Sequence, residues 1–119
     1  MTKKKNVLIT KVLVRALALL SKPGGWIKGK SAADKDGKHV VISDPDACGF
    51  CVVAGIYRAT QDILGKSATF DARYQLRSDV LRLLNGDFLE GVPFWNDAKE
   101  RTKDHVLMAL EFGIESLKP

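Results

Sequence analysis

The sequence predicts a mainly α fold: about four helices around a central buried helix at residues 46–64, with a short β-hairpin near residues 27–42. Three observations carry this. Apolar residues recur at helical spacing in stretches bounded by capping residues. From Ala47 to Leu64 they fall on nearly every side, as in a helix buried all round. Asp34-Lys35-Asp36-Gly37, followed by His39-Val40-Val41-Ile42, reads as a tight turn feeding a short strand.

The first helix starts at Asn6 as N-cap. Leu8, Val12, Ala16, Leu19 and Leu20 form its apolar stripe, and Pro23-Gly24-Gly25 stops it. Trp26 follows as an anchor. In the second helix Asp44 or Asp46 caps the first turn, and Pro45 suits the first helical position. Gly49, Ala54, Gly55 and Ala59 are small enough to let neighbouring helices approach, and Gly65 is its C-cap. Thr69 or Asp71 opens the third helix, with Tyr74, Leu76, Val80, Leu81, Leu83 and Leu84 as its apolar positions and Asn85-Gly86 as its stop. Residues 86–101 read as an irregular loop lying over the core through Phe88, Leu89, Val92, Phe94 and Trp95. Thr102 caps a last helix with Val106, Leu107, Ala109, Leu110, Ile114 and Leu117 as its buried stripe.

A chain of 119 residues fits one domain, 1–119, large enough to bury a core without staples; residues 1–5 read as a flexible basic tail. No membrane span is expected, because Lys11 and Arg15 interrupt the apolar run from Val7 to Leu20. Those charges also argue against a signal peptide, and two cysteines three positions apart cannot staple distant parts of a fold, so the expected location is cytoplasmic. Charge is uneven. Residues 1–35 carry nine Lys and Arg against one Asp, and residues 36–119 carry ten against thirteen acidic residues. A basic front end attracts phosphates, so weak nucleic-acid binding through Lys3, Lys4, Lys5, Lys11 and Arg15 is one reading. A solvated helix face is the plainer one, since arginines interleaved with aromatics are missing there.

Several motifs suggest chemistry. Gly24-Gly25-Trp26-Ile27-Lys28-Gly29-Lys30-Ser31 matches the phosphate-binding P-loop pattern, but a helix precedes it where a buried strand is needed. Asp34, Asp36 and Gly37 resemble a calcium loop without its closing Glu, and read as a turn. Cys48-Gly49-Phe50-Cys51 has the spacing of dithiol redox enzymes, with Val92-Pro93 where such folds place a cis-proline; the segment between lacks their alternating strands. Cys48, Cys51, His39 and His105 are ligand types for zinc but lack paired spacing, so neither a metal nor a cofactor is expected. A nucleophile pair of Cys51 with His105, oriented by Asp97 or Asp104, is the catalytic alternative. Asn96 and Asp97 read as residues that bond backbone N–H groups and fix the start of the last helix.

The order Gly25-Trp26, Gly29, Ala33-Asp34, Gly37, Asp44-Pro45, Ala47, Phe50-Cys51, Gly55, Ala59, Trp95-Asn96-Asp97 and Thr102 resembles a small uncharacterised bacterial and phage family, a domain of unknown function. The likeness covers about residues 8–117. It implies that Trp26, Cys51, Asn96, Asp97 and Thr102 belong to one shared arrangement. That family carries a cysteine at the position of Cys51 but not regularly at Cys48, which speaks against a dithiol. It brings no reaction, cofactor or partner. The expected function is a non-catalytic binding or regulatory protein, such as a phage or mobile-element accessory factor acting on another protein. The alternatives are the Cys51–His105 enzyme and the weak nucleic-acid binder.

Overall fold

The computed structural model describes residues 3–84 and 92–119. Its elements run α1 (Lys3–Ser21), β1 (Ala32–Ala33), β2 (Gly49–Phe50), α2 (Val52–Leu64), α3 (Phe70–Leu83), α4 (Val92–Asp97) and α5 (Lys103–Ser116). The fold is mainly α with one short antiparallel pair, as the sequence predicts.

α1 buries Ile9, Val12, Leu13, Ala16, Leu19 and Leu20, a stripe at helical spacing. Lys3, Lys4 and Lys5, read from the sequence as a tail, are already helical, because lysine is a good helix former and nothing there breaks the turn. Asn6 therefore lies inside α1 and is not its cap; its carbonyl accepts from Thr10 Oγ1 at 2.8 Å. α1 packs against α2, α3 and α5, and α2 against α1, α3 and α4, so the two helices share the centre. Gly55 makes their close approach possible: a Cβ there would sit 3.0 Å from Leu20 Cδ2.

The central helix starts later than the predicted residue 46. Asp44 spends its capping chemistry on a turn, where Asp46 N–H donates to Asp44 Oδ1 at 2.8 Å and Ala47 N–H to the Asp44 carbonyl at 3.0 Å. Gly49 and Phe50 are drawn into a sheet instead. β2 pairs antiparallel with β1, Ala32 opposite Phe50 and Ala33 opposite Gly49, and Trp26 bridges Phe50 from the other side. A strand buried on both faces and a buried helix give the same unbroken apolar run, so sequence periodicity could not separate them. The expected hairpin is present in reduced form. The Asp34–Gly37 turn closes with Gly37 N–H on the Asp34 carbonyl at 3.0 Å, and Ala33 bridges His39. The longer partner of Ala32–Ala33 is β2, not residues 39–42.

Thr69 caps α3, its Oγ1 accepting from Ala72 N–H at 3.1 Å, and Gly65 at φ 83° ends α2. Thr102 caps α5 as predicted. Its Oγ1 accepts from His105 N–H at 3.3 Å while His105 Nδ1 accepts from Thr102 N–H at 3.2 Å, a capping box with histidine in the usual place of Glu. Residues 92–97 form the short helix α4 where the sequence suggested irregular loop. The expected stop at Asn85-Gly86, the core-covering Phe88 and Leu89, and the packing of the Val92 and Phe94 side chains lie outside the described residues.

Candidate functional site

Asn96, at the end of α4, has no solvent exposure and makes four hydrogen bonds. Its Oδ1 accepts from the Trp26 indole Nε1 at 2.7 Å and from Val52 N–H at 3.0 Å. Its Nδ2 donates to the Ile27 carbonyl at 3.1 Å and to Asp97 Oδ1 at 3.0 Å. One amide thus ties the segment after α1, the first N–H of α2 and the end of α4. A buried polar group is stable only when paired, and here every donor and acceptor of the amide is used.

Asp97 extends the lock. Its Oδ1 also accepts from Gly29 N–H at 3.1 Å, which leaves Oδ2 without a partner among the described residues. Lys28 Nζ reaches the Ala98 carbonyl at 2.7 Å and lies 5.5 Å from the centre of the Trp26 ring. The chain from 26 to 30 is therefore laced to the chain from 96 to 98 along one edge.

Against this edge opens a cleft of about 570 Å³. Its apolar wall is Ile42, Val53, Ala54, Tyr57 and Leu81, with Cys51 between wall and rim. Its polar rim is Gly29, Lys30, Ser31 and Asp97. Size and mixture are those of a small-molecule site: mostly apolar, with few polar groups held in place. Arg58 fixes one lip, its Nη1 donating to the carbonyls of Ile42 and Asp44 at 2.8 and 2.9 Å. Arg58 and Tyr57 were missed by sequence reasoning. The available signal was a single arginine following the apolar run Val52–Tyr57.

Cys51 is the N-cap of α2, accepting through Sγ from Ala54 N–H at 3.4 Å. Burial pushes its thiol pKa above the ordinary value. Backbone N–H groups of the first turn pull it down, and the Asp97 carboxylate pushes it up again. Burial wins, so the thiol stays protonated near neutrality. The folded chain keeps this proton where the unfolded chain has released it. Stability is therefore full below the ordinary thiol pKa and is lost as pH rises above it toward the folded value. Cys51→Ser is expected to keep the helix, because serine is a better cap, and to flatten the alkaline limb of a denaturation-versus-pH series relative to the parent chain.

Of the residues the sequence singled out, Trp26, Cys51, Asn96 and Asp97 come together here. Thr102 lies at the start of α5 and serves its cap. His105 does not join Cys51. Its ring is engaged in the α5 cap, and it lines a separate depression with Trp95 and Arg101. The Cys51–His105 pair is thereby corrected, since a general base must lie within hydrogen-bond reach. Cys48 is exposed and precedes β2, so both cysteines are free and joined by extended backbone. Three extended steps span about 10 Å, beyond disulfide reach, which removes the dithiol reading. Among the described residues no three of His, Cys, Asp and Glu converge as metal ligands.

The P-loop-like stretch leads from α1 into β1 with no helix after it, and Lys30 Nζ donates to the Gly37 carbonyl. Of the basic residues assigned to nucleic acid, Arg15 pairs with Asp62 at 2.9 Å and Lys5 with the buried Asp79 at 3.4 Å. Lys3, Lys4 and Lys11 are exposed. No described helix is long and apolar enough to cross a membrane.

No curated protein and no solved structure matches the chain. A family model does match, over residues 5–116, and its span includes the whole Trp26–Cys51–Asn96–Asp97 arrangement. The chain belongs to the family of unknown function DUF6197.

Proposed function

We propose that the protein is a non-catalytic binding module whose cleft takes a small apolar molecule bearing a cationic or hydrogen-bond-donating group. The observation that carries this is Asp97. One carboxylate oxygen is fixed by Asn96 and Gly29 while the other is left for a ligand at the mouth of an apolar cleft. A fixed acceptor beside apolar walls orients a ligand without any reacting group of its own. The raised thiol pKa of Cys51 and the placement of His105 elsewhere weigh against the cysteine-enzyme alternative.

The test is an amide NMR titration with benzylamine, benzyl alcohol and benzoate. Benzylamine is expected to shift Cys51, Val53 and Tyr57 saturably, with Asp97→Asn weakening it about tenfold, the scale of one charge-assisted hydrogen bond. Benzyl alcohol should bind more weakly than the amine, and benzoate weakest of all. Equal affinities for all three, or an Asp97→Asn protein that binds benzylamine as well as the parent, would overturn the reading.

A further inference from the structure

The turn between α2 and α3 holds a second polar concavity that the cleft above does not use. Arg73, in the first turns of α3, donates through Nη2 to the Lys66 carbonyl at 3.1 Å, which holds its guanidinium along the turn. Its Nε is buried and has no acceptor among the described residues. A guanidinium does not shed its charge at any ordinary pH, so a buried N–H of this kind calls for an acceptor. Arg73 lines a cleft of about 470 Å³ together with Ser43, Arg58, Gln61, Asp62 and Lys66.

The charge there is unbalanced. Three cations face one carboxylate, and that carboxylate is already engaged, Oδ1 with Arg58 Nε at 3.4 Å and Oδ2 with Arg15 Nε at 2.9 Å. The Lys66 ammonium has no acceptor among the described residues. Ser43 and Gln61 add neutral donors. A group with several acceptor oxygens and a double negative charge fits this set, because arginine forks and lysine point charges both favour phosphate.

We propose that this cleft binds the phosphate group of a phosphate-bearing ligand, with the half-buried Arg73 as its anchoring donor and Lys66 and Arg58 as its charge partners. The full chain is titrated with inorganic phosphate at constant ionic strength and followed by amide NMR. Saturable shifts centred on Lys66 and Arg73, with a Kd of about 1 mM, are expected. Arg73→Gln should weaken binding about tenfold and Lys66→Ala several-fold, while Lys11→Ala on α1 leaves it unchanged. Lys66 is exposed, so its variant carries the test if Arg73→Gln fails to fold.

Thymidine monophosphate and a short oligothymidylate then separate the two sources of such a group. Equal affinities point to a small phosphomonoester, whereas a gain of about tenfold or more for the oligomer, eroded by salt, points to a nucleic-acid backbone. Both results keep the site. Shifts that grow without saturation, or that persist undiminished in both the Arg73 and Lys66 variants, overturn it.

Discussion

Asn96→Ala is expected to destabilise the protein by about 3–5 kcal/mol, the cost of leaving several buried polar groups unpaired. The substitution strands the Trp26 indole N–H, the Val52 N–H and the Ile27 carbonyl together, because one amide serves all three. It also releases Asp97 from one of its two anchors. Urea denaturation should show a lower midpoint with an unchanged slope, since the exposed surface on unfolding stays the same. Asn96→Asp separates charge from volume. It retains an acceptor for Trp26 and Val52 but cannot donate to Ile27 when ionised, and it sets a second carboxylate against Asp97. Its loss of stability should shrink in acid, where protonation removes the repulsion and restores a donor. A loss under about 1 kcal/mol for Asn96→Ala would mean that the lock does not hold the fold.

Gly25→Ala is the second large effect, about 3 kcal/mol or more. An added Cβ would stand 2.3 Å from the Leu19 carbonyl oxygen and 3.0 Å from those of Leu20 and Lys22. All three are backbone atoms at the end of α1, so no side chain can swing aside. Gly25 also donates to the Lys22 carbonyl at 2.8 Å and accepts from Phe50 N–H at 2.8 Å. The clash therefore pushes on the turn that delivers Trp26 to Asn96 and on the pairing of β2. Thermal unfolding of the variant should show the loss, together with a change in Trp26 fluorescence. By contrast Gly24, at φ 70° with open space around it, is strained by a side chain without meeting a clash, and its alanine variant should cost less.

The contrast between what was legible and what was not follows sequence distance. Thr69, Thr102 and Gly65 act on residues within three or four positions, and local chemistry sufficed to find them. The start of α2 was misplaced because it depends on Ala32–Ala33 and Trp26, some twenty residues away, pulling Gly49 and Phe50 into a sheet. Asn96 and Asp97 were read as side chains that bond backbone, which they do. Their backbone partners, however, are Val52, Ile27 and Gly29 rather than the start of the last helix. Composition cannot reveal a partner 44 or 69 positions away. Only the resemblance grouped Trp26, Cys51, Asn96 and Asp97, without supplying the bonds between them. Cys51 falls inside the helix that the sequence predicts over residues 46–64, whereas in the structure it is the helix cap at a cleft wall.

That cap is where the binding and catalytic readings diverge most sharply. In a Cys48→Ser protein the alkylation rate of Cys51 by iodoacetamide, measured across pH, reports its thiolate fraction directly. A rate that is low at neutral pH and keeps rising through the ordinary thiol range is expected, because burial outweighs the helix N–H groups and Asp97 adds to it. Rapid labelling with an inflection below about pH 7.5 would show a stabilised thiolate at the cleft, and would contradict a non-catalytic site.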